Sequence, residues 1–218
     1  MDGNGSVVTW RVGYWAAFLS ALFSLLYTVF QLAEWAGLLG SAGGPDSAST
    51  ALGIALLLTP SVLLAPSFVV MMIGVAHLVP AGRRIWGQAG VAFATVYATL
   101  IGIVYYTQLT LVMPRMLEGR TEGIEVLLFT PFDSFLYSVD LLGYSSMSLA
   151  TLFAAFGLVG TPSTRTARWF LLANGLLLPF LLFQIYFNSL IYIAALWAVT
   201  FPGASIALAA VFKQKAPS

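Results

Sequence analysis

Residues 50–79 read TALGIALLLTPSVLLAPSFVVMMIGVAHLV and contain no Asp, Glu, Lys or Arg. A helix of about 20 such residues crosses the ~30 Å hydrocarbon core of a bilayer. Five more apolar segments of sufficient length flank this one. In chain order the six are residues 11–39, 50–79, 84–113, 132–159, 166–187 and 189–212. The sequence therefore predicts an all-α, polytopic integral membrane protein, a six-transmembrane-helix bundle forming a single transmembrane domain over residues 1–218.

The overall composition leads to the same class of protein. The chain has 218 residues, of which 60% are hydrophobic and 8% charged, whereas soluble domains carry about 25% charged residues. So few polar side chains cannot cover a globule of this size, which excludes a water-soluble fold. The net charge is +1 and the basic residues are scattered, so nucleic acid is excluded as a partner.

Several cofactor classes are excluded by residue counts. The chain has no Cys and a single His, His77, which excludes disulfides, iron–sulfur clusters and a bis-His haem within one chain. The only lysines are Lys213 and Lys215, outside the apolar segments, so a covalent retinal has no attachment point. No cofactor is predicted, and a non-covalent lipid or pigment remains open.

The basic residues predict the orientation, because cytoplasmic loops of membrane proteins are enriched in Lys and Arg. An N-in, C-in topology puts most of them in the cytoplasm: Arg11, Arg83, Arg84, Arg165, Arg168, Lys213 and Lys215. Only Arg115 and Arg120 then lie outside. We expect a multi-pass protein of the inner (cytoplasmic) membrane of a cell, with both termini cytoplasmic.

The longest connection is the outer loop 114–131. Within it, residues 121–129 carry apolar side chains next to two acids and are predicted to lie in the interface as a short amphipathic turn; a lid is the alternative. Arg115 is predicted to be an interfacial anchor, or the counter-ion of Asp133 or Glu118.

A weak internal repeat is also present. Gln31, Gln108 and Gln184 each lie near the outer end of an odd-numbered helix, at nearly equal intervals. The pattern suggests three tandem helical hairpins.

Polar residues inside apolar helices indicate where a site lies, because they are costly in lipid and face the bundle interior or a watery cavity. In the first helix, residues at alternating spacings of about four and three form one face: Gly13, Ala17, Ser20, Ser24, Tyr27, Gln31 and Glu34. Similar stripes in the other helices predict a pocket in the outer half of the bilayer. Its predicted lining is Tyr27, Gln31, Glu34, Tyr105, Gln108, Tyr137, Asp140, Tyr144, Gln184 and Asn188, with Arg115 and Asp133 as possible rim residues.

The three acids of this set have structural alternatives. Thr130-Pro131-Phe132-Asp133 resembles a helix start with Thr130 as N-cap, and this interpretation of Asp133 is favoured over a functional one. Glu34 is interpreted first as reaching the headgroups from a helix end. For Asp140, inside an apolar helix, a functional group and a buried hydrogen-bonded group are equally supported. The six tryptophans are interpreted mostly as interfacial belt residues.

The motifs of common enzymes are absent from the sequence. There is no Gly-x-Ser-x-Gly, no His-Glu-x-x-His and no glycine-rich phosphate loop. No catalytic residue and no metal ligand is predicted, so an intramembrane lipid-modifying enzyme ranks last among the functional hypotheses.

Two segments carry a resemblance to known proteins: RVGYW at 11–15, which leads the first helix, and TPFDS at 130–134, which precedes the fourth. In these segments the chain resembles small multi-pass bacterial inner-membrane proteins of uncharacterised function. The resemblance implies a helical membrane protein and brings no activity with it.

Two functions remain ahead of catalysis. The first is binding or transport of a small molecule or lipid through the polar pocket, with Asp140 as the titrating group and Glu34 as a second acid. The second is an accessory or structural subunit of a larger membrane protein complex, whose polar stripes meet partner helices. Membrane lipids, a small-molecule or lipid ligand and a homo-oligomer are the partners that these hypotheses imply.

Overall fold

The computed structural model describes residues 3–45, 47–129 and 134–216. Within these ranges the regular structure is helical, with no strand. The α-helices are α1 (Gly3–Trp35), α2 (Ala51–Leu78), α3 (Arg84–Thr107), α4 (Met113–Leu117), α5 (Phe135–Gly157), α6 (Arg165–Gly175), α7 (Leu178–Phe183), α8 (Ile191–Ala194) and α9 (Trp197–Lys215). A π-helical turn, Gln108–Val112, joins α3 to α4, and 3-10 turns occupy Ala81–Arg83, Glu125–Leu127 and Asn188–Leu190.

Six helical stretches in the described residues are long and apolar enough to cross a membrane, which confirms the predicted class of fold. These spans are Val7–Trp35, Ala51–Leu78, Ala81–Leu117, Phe135–Gly157, Arg165–Phe183 and Asn188–Lys215. The first helix begins at Gly3, earlier than the sequence pattern suggested. The third span continues past Pro114, the second residue of α4.

The start of α5 corrects the capping prediction. Its N-cap is Ser134, whose side chain accepts a hydrogen bond from the Tyr137 N–H at 3.2 Å. A Ser hydroxyl on an extended residue caps a helix as well as Thr does, so Thr130 is not needed in that role. Thr130, Pro131 and Asp133 lie outside the described residues.

The six spans form a closed ring. Each span packs against the next one in the chain, through the pairs α1–α2, α2–α3, α3–α5, α5–α6 and α6–α9, and α9 packs back against α1. Since consecutive spans cross the bundle in opposite directions, α1, the third span and the fifth span all end at the same side. The three-hairpin repeat itself stays a prediction.

Aromatic rings fill the centre of the ring. Phe68 makes edge contacts with Tyr97 at 5.4 Å and with Phe201 at 5.3 Å between ring centroids. All three side chains are fully buried. From this centre the two ends of the bundle differ.

One end, which we call the packed end, is closed by small residues around the Phe212 ring. A Cβ atom at Gly74 would lie 3.0 Å from Cζ of Phe212 and 3.3 Å from Cα of Gly13. At Gly157 a Cβ atom would lie 2.9 Å from Cγ2 of Val79. Glycine therefore lets neighbouring helices approach at backbone distance here, as small residues do in membrane bundles.

Asn174 in α6 ties three spans together. Its Nδ2 donates to Thr151 Oγ1 of α5 at 3.1 Å, and Thr200 Oγ1 of α9 donates to its Oδ1 at 2.9 Å. The Asn174 side chain is buried and its amide is used on both sides, which gives this polar residue a structural role.

Candidate functional site

The opposite end of the ring, which we call the cavity end, encloses a cavity of about 320 Å³. Its wall comes from the C-terminal part of α1, the start of α2, the end of the third span, the start of α5, and α7 to α9. The α1–α2 loop and the connection before α5 also contribute. Ligand pockets in proteins have volumes of about 300–1,000 Å³, so this cavity accommodates a small organic molecule.

Nine of the ten residues in the predicted lining border this one cavity: Tyr27, Gln31, Glu34, Tyr105, Gln108, Tyr137, Asp140, Tyr144 and Gln184. The tenth, Asn188, does not; it begins a 3-10 turn and its side chain is exposed. Arg115 is half-buried in α4 and is not part of the wall. Asp133 lies outside the described residues.

Glu34 points into the bundle. Its side chain is 2% exposed, and neither carboxylate oxygen has a hydrogen-bond partner among the described residues. The carboxylate packs on the backbone of α2 at Gly53, where a Cβ atom would lie 2.8 Å from Oε2. The interpretation of Glu34 as a headgroup-facing residue is therefore wrong, because the missing Gly53 side chain leaves room for the carboxylate between α1 and α2.

Asp140 is the second acid of the wall. Its side chain is half-buried, and Oδ1 is buried without a partner among the described residues. It lines the same cavity as Tyr27, Tyr105 and Tyr144. Asp140 is therefore not a structural carboxylate whose hydrogen bonds are all made within the protein.

The tyrosines and glutamines of the wall are hydrogen-bonded to one another. Tyr105 donates to Tyr144 at 3.1 Å, and Tyr27 donates to Gln31 Oε1 at 2.9 Å. Gln184 Nε2 donates to the Tyr137 hydroxyl. These bonds hold the polar side chains in position around the cavity.

Trp197 is a wall residue that the sequence analysis missed. Its ring lies between those of Tyr27 and Tyr144, at centroid distances of 5.3 and 5.4 Å. Trp35 also lines the cavity. From the sequence, most of the six tryptophans are interpreted as belt residues, and these two are not singled out. The belt assignment fails for Trp197 because the irregular segment before α9 sets which way its ring faces, and residue spacing carries no signal for that.

The connection before α5 closes part of the cavity end. Gln108 Nε2 donates to the Leu127 carbonyl at 2.6 Å, and Ile124 is buried beneath the loop. Phe129 contacts the rings of Tyr105 and Tyr137 edge-on and borders the cavity. The turn is therefore part of the wall. Its placement in the membrane interface, and the alternative of a lid, stay predictions.

Charged residues near the loop pair differently from the prediction. Glu118 forms its salt bridge with Arg120, so the interpretation of Arg115 as the counter-ion of Glu118 is wrong. Only Gly119 lies between these two exposed residues, which directly follow α4.

The cavity wall is acidic. Its described residues include Glu34 and Asp140 and no Lys, Arg or His. In the described part of the chain, no three His, Cys, Asp or Glu side chains come together in a way that could hold a metal ion. The chemistry of the wall is thus two carboxyl groups, several phenols and amides, and aromatic faces.

The fold and the cavity define a multi-pass helical membrane protein with an acidic, aromatic-walled pocket at one end of its bundle. Comparison of the chain with protein-family models, with curated proteins and with solved structures gave no match.

Proposed function

We propose that the protein binds a small molecule or lipid in the cavity and passes it into or across the membrane. The observation that carries the proposal is the convergence on one cavity of polar residues from the first, third and fourth spans, together with Gln184 directly after the fifth. Polar side chains in membrane helices are costly and usually mark ligand or ion pathways. In a purely structural use, such as that of Asn174, no space would be left between such residues, whereas these side chains surround a cavity.

Charge supports an orientation for this site. The packed end carries most of the basic residues, at the start of α1, around the α2–α3 turn, at the start of α6 and at the end of α9. By the positive-inside rule that end is cytoplasmic, and the cavity end faces the outer side. In a bacterial cell the protein would then take its ligand from the outer half of the inner membrane or from the space beyond it.

A pair of substitutions on α9 tests the proposal. Ala198 borders the cavity, whereas the next residue, Val199, is 66% exposed on the outer surface of the bundle. Ala198→Phe should fill the cavity, and Val199→Phe adds a ring of the same kind to the lipid-facing side. Native mass spectrometry of protein purified in mild detergent should find a bound small molecule or lipid on the wild type and on Val199→Phe, and lose it on Ala198→Phe.

The same purification distinguishes ligand binding from the alternative function, that of an accessory subunit in a larger complex. A protein partner at fixed stoichiometry, with no small molecule that depends on Ala198, would overturn the proposal in favour of a structural subunit. Circular dichroism of Ala198→Phe checks that loss of the ligand is not loss of the fold.

A further inference from the structure

The two carboxyl groups of the cavity indicate the chemical class of its ligand. We infer that the cavity takes an organic cation, a small amine carrying a protonated or quaternary ammonium group. The inference rests on the proposed function, because it assigns a ligand class to the same cavity.

The first argument is charge. Both oxygens of Glu34 are buried and lack partners among the described residues, and Oδ1 of Asp140 is likewise buried without a partner. Buried charges in proteins are normally paired, because an isolated ionised carboxylate in an apolar medium is very unfavourable. The described wall contains no basic side chain that could serve. An ammonium group bound in the cavity supplies the opposite charge to both acids.

The second argument is the aromatic wall. Tyr27, Trp197 and Tyr144 follow one another around the cavity with neighbouring centroids 5.3 and 5.4 Å apart. A cation over the face of Trp or Tyr is attracted by the ring quadrupole, and groups of such rings recognise quaternary ammonium ligands. Carboxylates beside aromatic faces are the combination that an alkylated ammonium group requires.

The amides of the wall also favour a donor ligand. Gln108 and Gln184 each use the NH₂ group to donate, to the Leu127 carbonyl and to the Tyr137 hydroxyl respectively. Their amide oxygens are left as acceptors. An N–H or hydroxyl group on the ligand could donate to these two amide oxygens.

Two other sources of positive charge fit less well. A phospholipid headgroup brings an ammonium together with a phosphate, and no basic residue in the described wall would pair with that phosphate. A bare metal ion would fill little of a volume near 320 Å³ and would make no use of the aromatic faces. A free amine uses the charge, the rings and the volume together.

The test measures binding of radiolabelled choline to the full-length protein in nanodiscs of phosphatidylglycerol. Choline should bind saturably, and its neutral carbon isostere 3,3-dimethyl-1-butanol should compete at least about tenfold more weakly, because it has the same shape without the charge. Glu34→Gln and Asp140→Asn should each weaken choline binding by about tenfold or more. Glu118→Gln, at an exposed acid outside the cavity, is the matched control and should bind like the wild type.

Gly53→Ala provides an independent variant. The added methyl carbon would lie 2.8 Å from Glu34 Oε2, which is too close, so the flexible Glu34 side chain must move away while its charge is kept. The α2 helix itself gains from the change, since Ala has a higher helix propensity than Gly. We expect a folded protein with weaker choline binding, which shows that the position of the carboxylate matters in addition to its presence.

The outcomes separate the two proposals. Equal binding of choline and its neutral isostere, unchanged by Glu34→Gln and Asp140→Asn, would overturn the cation inference and leave the cavity as a binding site for neutral molecules. Displacement of choline by equimolar sodium ions, or binding only of phosphatidylcholine supplied in the nanodisc, would also overturn it in favour of a bare ion or a lipid headgroup. An absence of choline binding overturns the inference, and the Ala198→Phe comparison then decides separately whether the cavity binds anything.

Discussion

The two ends of the ring use glycine for the same physical reason and with opposite results. At the packed end, Gly74 gives its side-chain space to the Phe212 ring and the backbone at Gly13. At the cavity end, Gly53 gives the same space to the carboxylate of Glu34. Where an apolar ring packs into the space left by the missing Cβ atom, the bundle is closed. Where a carboxylate packs into that space, an acidic group is held inside the bundle. What fills the gap decides whether a glycine serves packing or a site.

The largest effect on stability is expected from a substitution that disrupts the packed end. Gly74→Leu pushes a branched side chain into Phe212 and the α1 backbone, and overpacking of this kind destabilises a protein by about 3 kcal/mol. The matched control is Gly102→Leu in α3, because nothing lies within 4 Å of a Cβ atom at Gly102. Unfolding in detergent should show a large loss of stability for Gly74→Leu only. Equal losses for both variants would mean that the packed end is not closed by its glycines.

An intermediate effect is expected between the two ends, at Asn174. Asn174→Leu removes its hydrogen bonds to Thr151 and Thr200. Side-chain hydrogen bonds between membrane helices contribute about 0.6 kcal/mol on average and up to about 1.7, so the two together should amount to about 1–2 kcal/mol. The same unfolding measurement applies, with the exposed Asn188→Leu as control. A loss no greater than that of Asn188→Leu would contradict a structural role for Asn174.

The smallest effect concerns the turn at the cavity end. The backbone N–H of Glu125 itself, and then that of Gly123, donate to the Glu125 carboxylate and hold its pKa below the ordinary 4.5. Because the folded-state pKa is lowered, the ionised Glu125 carboxylate stabilises the turn fully above about pH 4.5. This stabilisation is lost as the pH falls through the lowered pKa. The Gly123 amide resonance, followed by NMR in micelles, should therefore shift at acidic pH in the wild type. In Glu125→Gln the resonance should lack this titration, and a titration that persists would assign it to another group.

Helical periodicity brought most of the predicted lining residues to one cavity. Tyr27, Gln31 and Glu34 share a face because their spacings are four and three residues, and the same rule applies to Tyr137, Asp140 and Tyr144. A polar stripe on an apolar helix must face inwards, so several such stripes meet. That argument needs no knowledge of which helices are neighbours.

The predictions that failed concern features that depend on neighbouring segments of the structure. Glu34 at the end of α1 has two directions open to it, and only the glycine opposite, Gly53, decides between them. Trp197 follows an irregular segment in which spacing does not fix a direction. Ser134 was passed over as N-cap because Thr130 with Pro131 carried the stronger local pattern, although local patterns alone do not place a helix start among nearby candidates.

The closed ring has a consequence for the order in which the protein assembles. Spans 1 to 5 each meet a neighbour as soon as the following span is made, but the surface of α1 that carries Trp10 is matched by Phe212 and Lys215 of α9. At roughly 5–20 residues per second of synthesis, α1 waits on the order of ten to forty seconds for that partner. During this interval its flank lacks the contacts with α9. The seam between the first and last spans is therefore the final contact to form, and the step at which a nascent chain becomes a closed ring.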